Sequence, residues 1–194
     1  MKLFYTPNSP YARIARVAII ELNLCDRIET QKVIARDPNS DLLNYNLTGK
    51  VPTLATDDGF ILSETRIICF YLNHLNPEIK LVAEISNGFL QQLEGMTGDG
   101  IAVWVRELRR PLGEQSPGAI EFEHERALRI LDYFEKISDK LDQTPKLAHI
   151  SLASALGLEI RLPDLQWRQK YPKLAHWYDE FSKLPSMQAT RPES

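Results

Sequence analysis

The sequence predicts two units in series, a small α/β sandwich followed by a bundle of helices. Three observations carry this. Up to Asn76, runs that alternate at period two interchange with runs at helical spacing; Asp58-Gly59 between two short apolar runs marks a hairpin; and past Pro77 the apolar patterns are helical. The expected bounds are 1–76 for the α/β unit, 77–82 for a linker and 83–194 for the all-α unit.

Lys2 to Tyr5 reads as the first strand. Ser9 and Pro10 then open a helix to Leu22: Ser9 can accept from a free backbone N–H of the first turn, and Pro10 suits the first helical position because it has no N–H to lose. Ile14, Val17, Ala18 and Glu21 mark its faces, Ile28 to Val33 alternates at period two, and a poorly patterned segment follows. Thr53 to Ala55 and Phe60 to Leu62 flank Thr-Asp-Asp-Gly, a turn whose Asp58-Gly59 pair tolerates positive φ. Ser63 is expected to cap the next helix, where Ile67, Ile68, Tyr71, Leu72 and Leu75 fall at helical spacing. Strand, helix, strand, irregular segment, hairpin, helix is the order of a thioredoxin-like module.

Beyond Pro77, Phe89, Leu90 and Leu93, then Val103, Trp104 and Leu108, then Leu128, Leu131, Phe134 and Leu141 all suggest long helices. Pro111 is expected to end the first of these, Ser116-Pro117-Gly118 to turn the chain, and Pro172 to stand early in a helix buried through Leu174, Trp177, Tyr178 and Phe181.

Composition narrows the function classes. The chain has 194 residues, 43% hydrophobic and 25% charged, as in ordinary globular proteins. A net charge of -3 argues against nucleic acid as a main partner, because that grip needs a basic face. No apolar run reaches membrane-spanning length and no basic-led apolar leader is present, so a cytoplasmic location is expected. Cys25 and Cys69 lack Cys-x-x-Cys spacing and are expected to be two buried free thiols. His74, His124 and His176 are scattered without ligand spacing, so no metal site is expected.

Three segments can carry chemistry. In TPNSPYAR, a hydroxyl at the positive end of a helix can steady an anion, or simply cap the helix. In GKVPTL, Pro52 belongs at a strand start or sheet edge; if the Val51-Pro52 bond is cis, the Val51 N–H and C=O turn outward and can pair with an extended peptide, while a plain strand-entry proline fits as well. In LSETR, first-turn backbone donors and the Thr65 hydroxyl suit a carboxylate and the Glu64 carboxylate suits an ammonium group; a capping serine followed by a first-turn acid fits the same letters. Taken together, a pocket for an α-amino acid end, a backbone-pairing middle and a hydroxyl at a helix start are what γ-glutamyl-cysteinyl-glycine needs.

MKLFYTPNSPYARIARVAI, GKVPTL and LSETRIICFYL, with LASALGLEIRLPDLQWRQKYPKLAHWYDEFSKLPSMQATRP behind them, resemble the cytosolic glutathione S-transferase superfamily over nearly the whole chain. GDGIAVWVRELRRP further resembles a mostly uncharacterised bacterial subgroup. The resemblance implies a thioredoxin-like domain, an all-α domain, a homodimer, and glutathione as co-substrate. It places Val51 and cis Pro52 against the cysteinyl backbone, Glu64 and Thr65 at the γ-glutamyl end, and Lys50 or Arg36 near the glycyl carboxylate. Ser9, four residues before Arg13 as in serine-type members, becomes the donor to the glutathione sulfur, with Asn8 the alternative one register earlier; Trp104 either borders the electrophile pocket or packs in the core.

The chain departs from the family pattern in two places. A Ser/Thr-x-x-Asp box at the start of the core helix is replaced by Lys146 and His149, which leaves that helix short of a cap, and the usual Asn-Pro before Gly-Lys-Val-Pro is Asn46-Leu47. Two functions follow from the resemblance. One is an enzyme that activates the glutathione thiolate for attack on a small electrophile by conjugation, peroxide reduction or isomerisation. The other is a non-catalytic, transferase-like module that binds protein partners.

Overall fold

A computed structural model of the chain describes residues 1–35, 37–99, 107–108, 110–161 and 166–193. Four strands form one mixed sheet: β1 (Lys2–Tyr5), β2 (Glu29–Lys32), β3 (Thr53–Ala55) and β4 (Ile61–Ser63), in the order β2-β1-β3-β4. The parallel pairing of β1 with β2 requires a crossover, which α1 (Pro10–Glu21) supplies, whereas β3 and β4 form an antiparallel hairpin. Register matters most for function. Phe4 lies opposite Thr53, and Thr53 opposite Ser63, so the end of β1, the start of β3 and the end of β4 share one edge of the sheet.

The hairpin corrects two expectations. The fourth strand runs from Ile61 to Ser63, one residue later than Phe60 to Leu62, because Phe60 is held in the turn: its N–H donates to Thr56 Oγ1 at 3.0 Å and its carbonyl accepts from Thr56 N at 2.9 Å. Ser63 is therefore a strand residue and not a helix cap, and α2 (Thr65–Leu75) starts after Glu64.

The helical part contains α3 (Gly88–Asp99), α4 (Pro117–Ile137), α5 (Leu147–Leu156), α6 (Trp167–Lys170), α7 (Pro172–Phe181) and α8 (Pro185–Ala189) among the described residues. Residues 107 and 108 are helical and the helix has ended before Pro111, as expected. Ser116-Pro117 does not turn the chain. It starts α4, with Ser116 Oγ accepting from Ala119 N at 3.3 Å and Pro117 at the first helical position. Pro172 likewise opens α7, whose Leu174, Trp177, Tyr178 and Phe181 are buried. Val103, Trp104, Arg106 and Arg109 lie outside the described residues.

Helix α5 is buried on every side, from Leu147 to Leu156, as a helix at the centre of a core must be. It packs against α1 and α3, and α1 also packs against α2, so one continuous cluster runs from Leu3 and Leu54 through Ile14, Val17 and Ala18 to Ile150, Leu152 and Phe181. Each Leu, Ile, Val or Phe of this cluster contributes roughly 1.5–3 kcal/mol by leaving water.

The predicted want of a cap on α5 is met from outside the helix. Lys146 makes no side-chain cap bond, but Leu147 N donates to the Leu81 carbonyl at 2.9 Å and the Lys146 ammonium reaches the Lys80 carbonyl. His149 Nδ1 bonds the Thr144 carbonyl at 2.7 Å. The segment supplying Lys80 and Leu81 is itself held by Asn73, whose Oδ1 accepts from Val82 N at 2.8 Å and whose Nδ2 donates to the Ile79 carbonyl at 2.7 Å. Of the two cysteines, Cys69 is buried, but Cys25 is exposed in the turn after α1, where no core surrounds it. No helix among the described residues is long and apolar enough to cross a membrane.

Candidate active site

At the shared edge of the sheet, the chain leaves β1 through Thr6, and Ser9 N donates back to the Thr6 carbonyl at 3.2 Å. This turn sets Ser9 at extended dihedrals (φ -84°, ψ 118°), where its Oγ accepts from Ala12 N at 3.2 Å. A hydroxyl that accepts in this way still carries its own proton, so capping α1 leaves the Ser9 O–H free to donate. Arg13, one turn further on, does not follow Ser9 to this edge: its Nη2 donates to the Met187 carbonyl at 3.0 Å, tying α1 to α8.

Val51-Pro52 is cis. The corner before it is built by Asn46, which is 6% exposed. Its Nδ2 donates to Thr53 Oγ1 at 2.8 Å and its Oδ1 accepts from Thr48 N at 2.9 Å and Thr48 Oγ1 at 2.8 Å; Thr53 Oγ1 in turn donates to the Lys50 carbonyl at 2.7 Å. Gly49 sits at φ +61°, a region a side chain rarely adopts. The asparagine does the holding. Leu47, which replaces the usual proline, is 94% exposed and takes no part. Val51 is half-buried, Pro52 buried and Lys50 exposed; Arg36 lies outside the described residues.

Glu64 joins β4 to α2 at φ 74°, ψ 125°, and no side chain caps α2. A non-glycine residue in this region costs on the order of 1–3 kcal/mol and persists only where its surroundings enforce it. Here β4 pairing fixes the residue before it and the buried turn of Ile68 and Cys69 fixes the helix after it. The result is an exposed carboxylate at a helix start whose first-turn N–H groups have no side-chain acceptor, beside the half-buried Thr65.

Behind this start lies a charge pair that the letters did not signal. Arg66 Nε lies 2.6 Å from Glu94 Oε1, joining α2 to α3. Burial pushes the Glu94 carboxyl above its usual range and Arg66 opposes that shift. Glu94 stands alone among apolar and amide neighbours in the sequence, and only the crossing of α2 and α3 brings the two charges together. Burial, and then the nearby Glu94, push the Cys69 thiol far up, so it is an inert packing group. Among the described residues no three His, Cys, Asp or Glu side chains could hold a metal.

The sequence profile of the glutathione S-transferase N-terminal domain matches residues 8–75, which span Ser9, the cis-proline corner and Glu64-Thr65. An uncharacterised GST-like protein of Escherichia coli K12, YibF, is 27% identical over 203 residues, covering 99% of this chain and 98% of its own. The crystal structure of a glutathione S-transferase from Methylobacillus flagellatus, with glutathione bound, superposes with a TM-score of 0.88 at 32% identity over 99% of both chains. A glutathione transferase family member from Pseudomonas fluorescens Pf-5, also with bound glutathione, gives 0.89 at 32% identity over 100% of this chain and 99% of that one. Agreement at this identity through both the sandwich and the helices shows that the chain belongs to the glutathione S-transferase family.

Proposed function

We propose that the chain binds glutathione along the edge of its sheet and activates the thiol as thiolate for attack on a small electrophile. The observation that carries this is the register Phe4–Thr53–Ser63, which brings Ser9, Val51 and Glu64-Thr65 to one edge. The glutathione found in two solved relatives supports the same ligand. In this reading the Val51 backbone pairs with the cysteinyl backbone beside Pro52, and Glu64 takes the γ-glutamyl ammonium. Thr65 and the uncapped first turn of α2 take its carboxylate, and Lys50 faces the glycyl carboxylate, a place Arg36 would share.

The Ser9 O–H, still available while Oγ caps α1, donates to the sulfur, with Asn8 the alternative donor. A free thiol titrates near 8.5, and lowering it by about two units takes roughly 2.7 kcal/mol. A hydrogen bond to a charged partner contributes about 1.5–3 kcal/mol, and a helix start adds about 0.3–1 kcal/mol. Together these suffice. The reaction is conjugation, peroxide reduction or isomerisation, the chemistry of detoxification, in a cytoplasmic homodimer. Phe60 in the hairpin turn, Ile61 on β4, and Ile67 and Phe70 on α2 are exposed, and they support pairing of two copies.

Glutathione titration followed by ultraviolet difference spectroscopy of the thiolate, compared with Ser9→Ala, tests the reading. Saturable binding with a thiolate signal that the variant loses is expected. Binding without any thiolate signal points instead to the non-catalytic module, and absence of binding overturns the enzyme.

A further inference from the structure

The segment that follows α7 runs back along α1 toward the end of the sheet where Ser9 stands. The Ser186 hydroxyl donates to Glu21 Oε1 at the end of α1. Arg13, about two turns nearer the start of that helix, donates from Nη2 to the Met187 carbonyl at 3.0 Å and from Nε to the Thr190 hydroxyl at 3.5 Å. Glu193 then reaches the end of β2, where both of its carboxylate oxygens accept from Lys32 Nζ at 2.9 Å.

The end of β2 adjoins Ser9 by connectivity. Lys32 lies opposite Tyr5 in the parallel pair of β1 and β2, about 4.8 Å away by strand spacing. Tyr5 is followed by Thr6, whose carbonyl accepts from Ser9 N at 3.2 Å. Arg16, seven residues after Ser9 and so on the same face of α1, lies with its Cζ 4.2 Å from the centre of the Tyr5 ring. Burial pulls the half-buried Arg16 guanidinium below its usual range, and Tyr5 and Glu193 oppose that shift. Lys32 and Arg16 therefore both stand beside Glu193. In the glutathione reading the tripeptide takes the β3 and β4 side, with its ends at Glu64-Thr65 and Lys50. The sulfur at Ser9 is then approached from the β1 side, where Tyr5, Arg16 and Lys32 are.

We propose that Arg16 and Lys32 select electrophiles that carry a carboxylate, and that Glu193 holds the place of that carboxylate until the substrate displaces it. The inference rests on the glutathione reading and deepens it by naming the substrate class. Displacement is easy at Lys32, because its side chain and that of Glu193 are 56% and 58% exposed and an exposed ion pair is weak. The incoming carboxylate also faces Arg16, whose planar guanidinium matches it in a two-pronged contact.

Calorimetric titration of the protein, with glutathione present and ionic strength fixed by sodium chloride, tests this with 4-nitrobenzoate and its neutral amide as unreactive probes. Saturable heat with the acid, at an affinity at least several-fold above that of the amide, is expected. Glu193→Gln should tighten the acid about two- to fivefold, the worth of the exposed ion pair it removes, a gain that misfolding cannot imitate. Arg16→Gln should weaken the acid about tenfold, as loss of a charge-assisted contact does. These heats need no turnover, so failure of this site and failure of thiolate activation are told apart. Absence of saturable heat with the acid, equal affinities for acid and amide, or failure of either substitution to move the acid in its stated direction overturns the proposal.

Discussion

Two helices begin at the same edge of the sheet and begin in opposite ways. At α1 the backbone is relaxed, Ser9 accepts from Ala12 N, and Pro10 removes a donor that would otherwise need a partner. At α2 the entering residue, Glu64, is held at φ 74° and no side chain satisfies the first turn. The first start is complete in itself. The second is left with donors, a carboxylate and a hydroxyl all facing outward, at a cost in backbone strain. The difference teaches where a ligand contributes: α1 needs none for its stability, whereas α2 has unmet hydrogen-bonding capacity that an amino acid head group fits.

The sharpest way to break this comparison is at Glu64. Glu64→Gly should weaken glutathione binding about 10- to 100-fold, the loss of a hydrogen bond between charged groups of roughly 1.5–3 kcal/mol. The same variant should be more stable by about 1–2 kcal/mol, the roughly 1–3 kcal/mol of backbone strain released less the roughly 0.5–1 kcal/mol that glycine loses in chain entropy on folding. Calorimetry and denaturant unfolding read the two effects in opposite directions, and a variant that loses stability as well as affinity would remove the contrast.

Ser9→Ala comes next. It should cost about 1 kcal/mol through the lost cap, or about 2–4 °C in Tm for a chain of this size, whether or not glutathione is present. Smaller still is Lys146→Ala, which should change stability by less than about 0.5 kcal/mol in urea unfolding, the size of an ordinary surface substitution. The Leu147 N–H that a cap would serve already bonds the Leu81 carbonyl. A loss as large as that of Ser9→Ala would mean that the lysine, and not the Leu81 carbonyl, holds the start of α5.

The least effect is expected at Glu94. Its folded carboxyl binds a proton more readily than in the unfolded chain, so its contribution is complete below the ordinary carboxylate range and is lost as pH rises through the raised value. Glu94→Gln should flatten the pH dependence of Tm above that range, without lowering Tm at neutral pH.

The starts of α1, α7 and β3 were legible because each rests on residues adjacent in sequence: a capping serine with proline, a proline at the first position, a proline before a strand. The same serine-proline signal at Ser116-Pro117 fits a turn equally well in isolation, and the amphipathic run after it decided for a helix. Ser63 was misplaced for another reason. A serine before a helical pattern reads as a cap, but pairing with Thr53 draws it into β4 and moves the helix entry to Glu64. No local pattern announces a partner ten residues away.

The sequence by itself determined the α/β-then-α order, the three segments that carry the candidate chemistry, and the family they belong to, since these depend on periodicity, turn residues and short motifs. Tertiary structure alone decided what those segments meet. It set three of them on one sheet edge, closed the start of α5 with the Leu81 carbonyl, paired Arg66 with Glu94, and left Arg13 buried beside Gly157. Each of these is a contact between residues distant in the chain, fixed by how helices and strands pack and not by what their neighbours in sequence are.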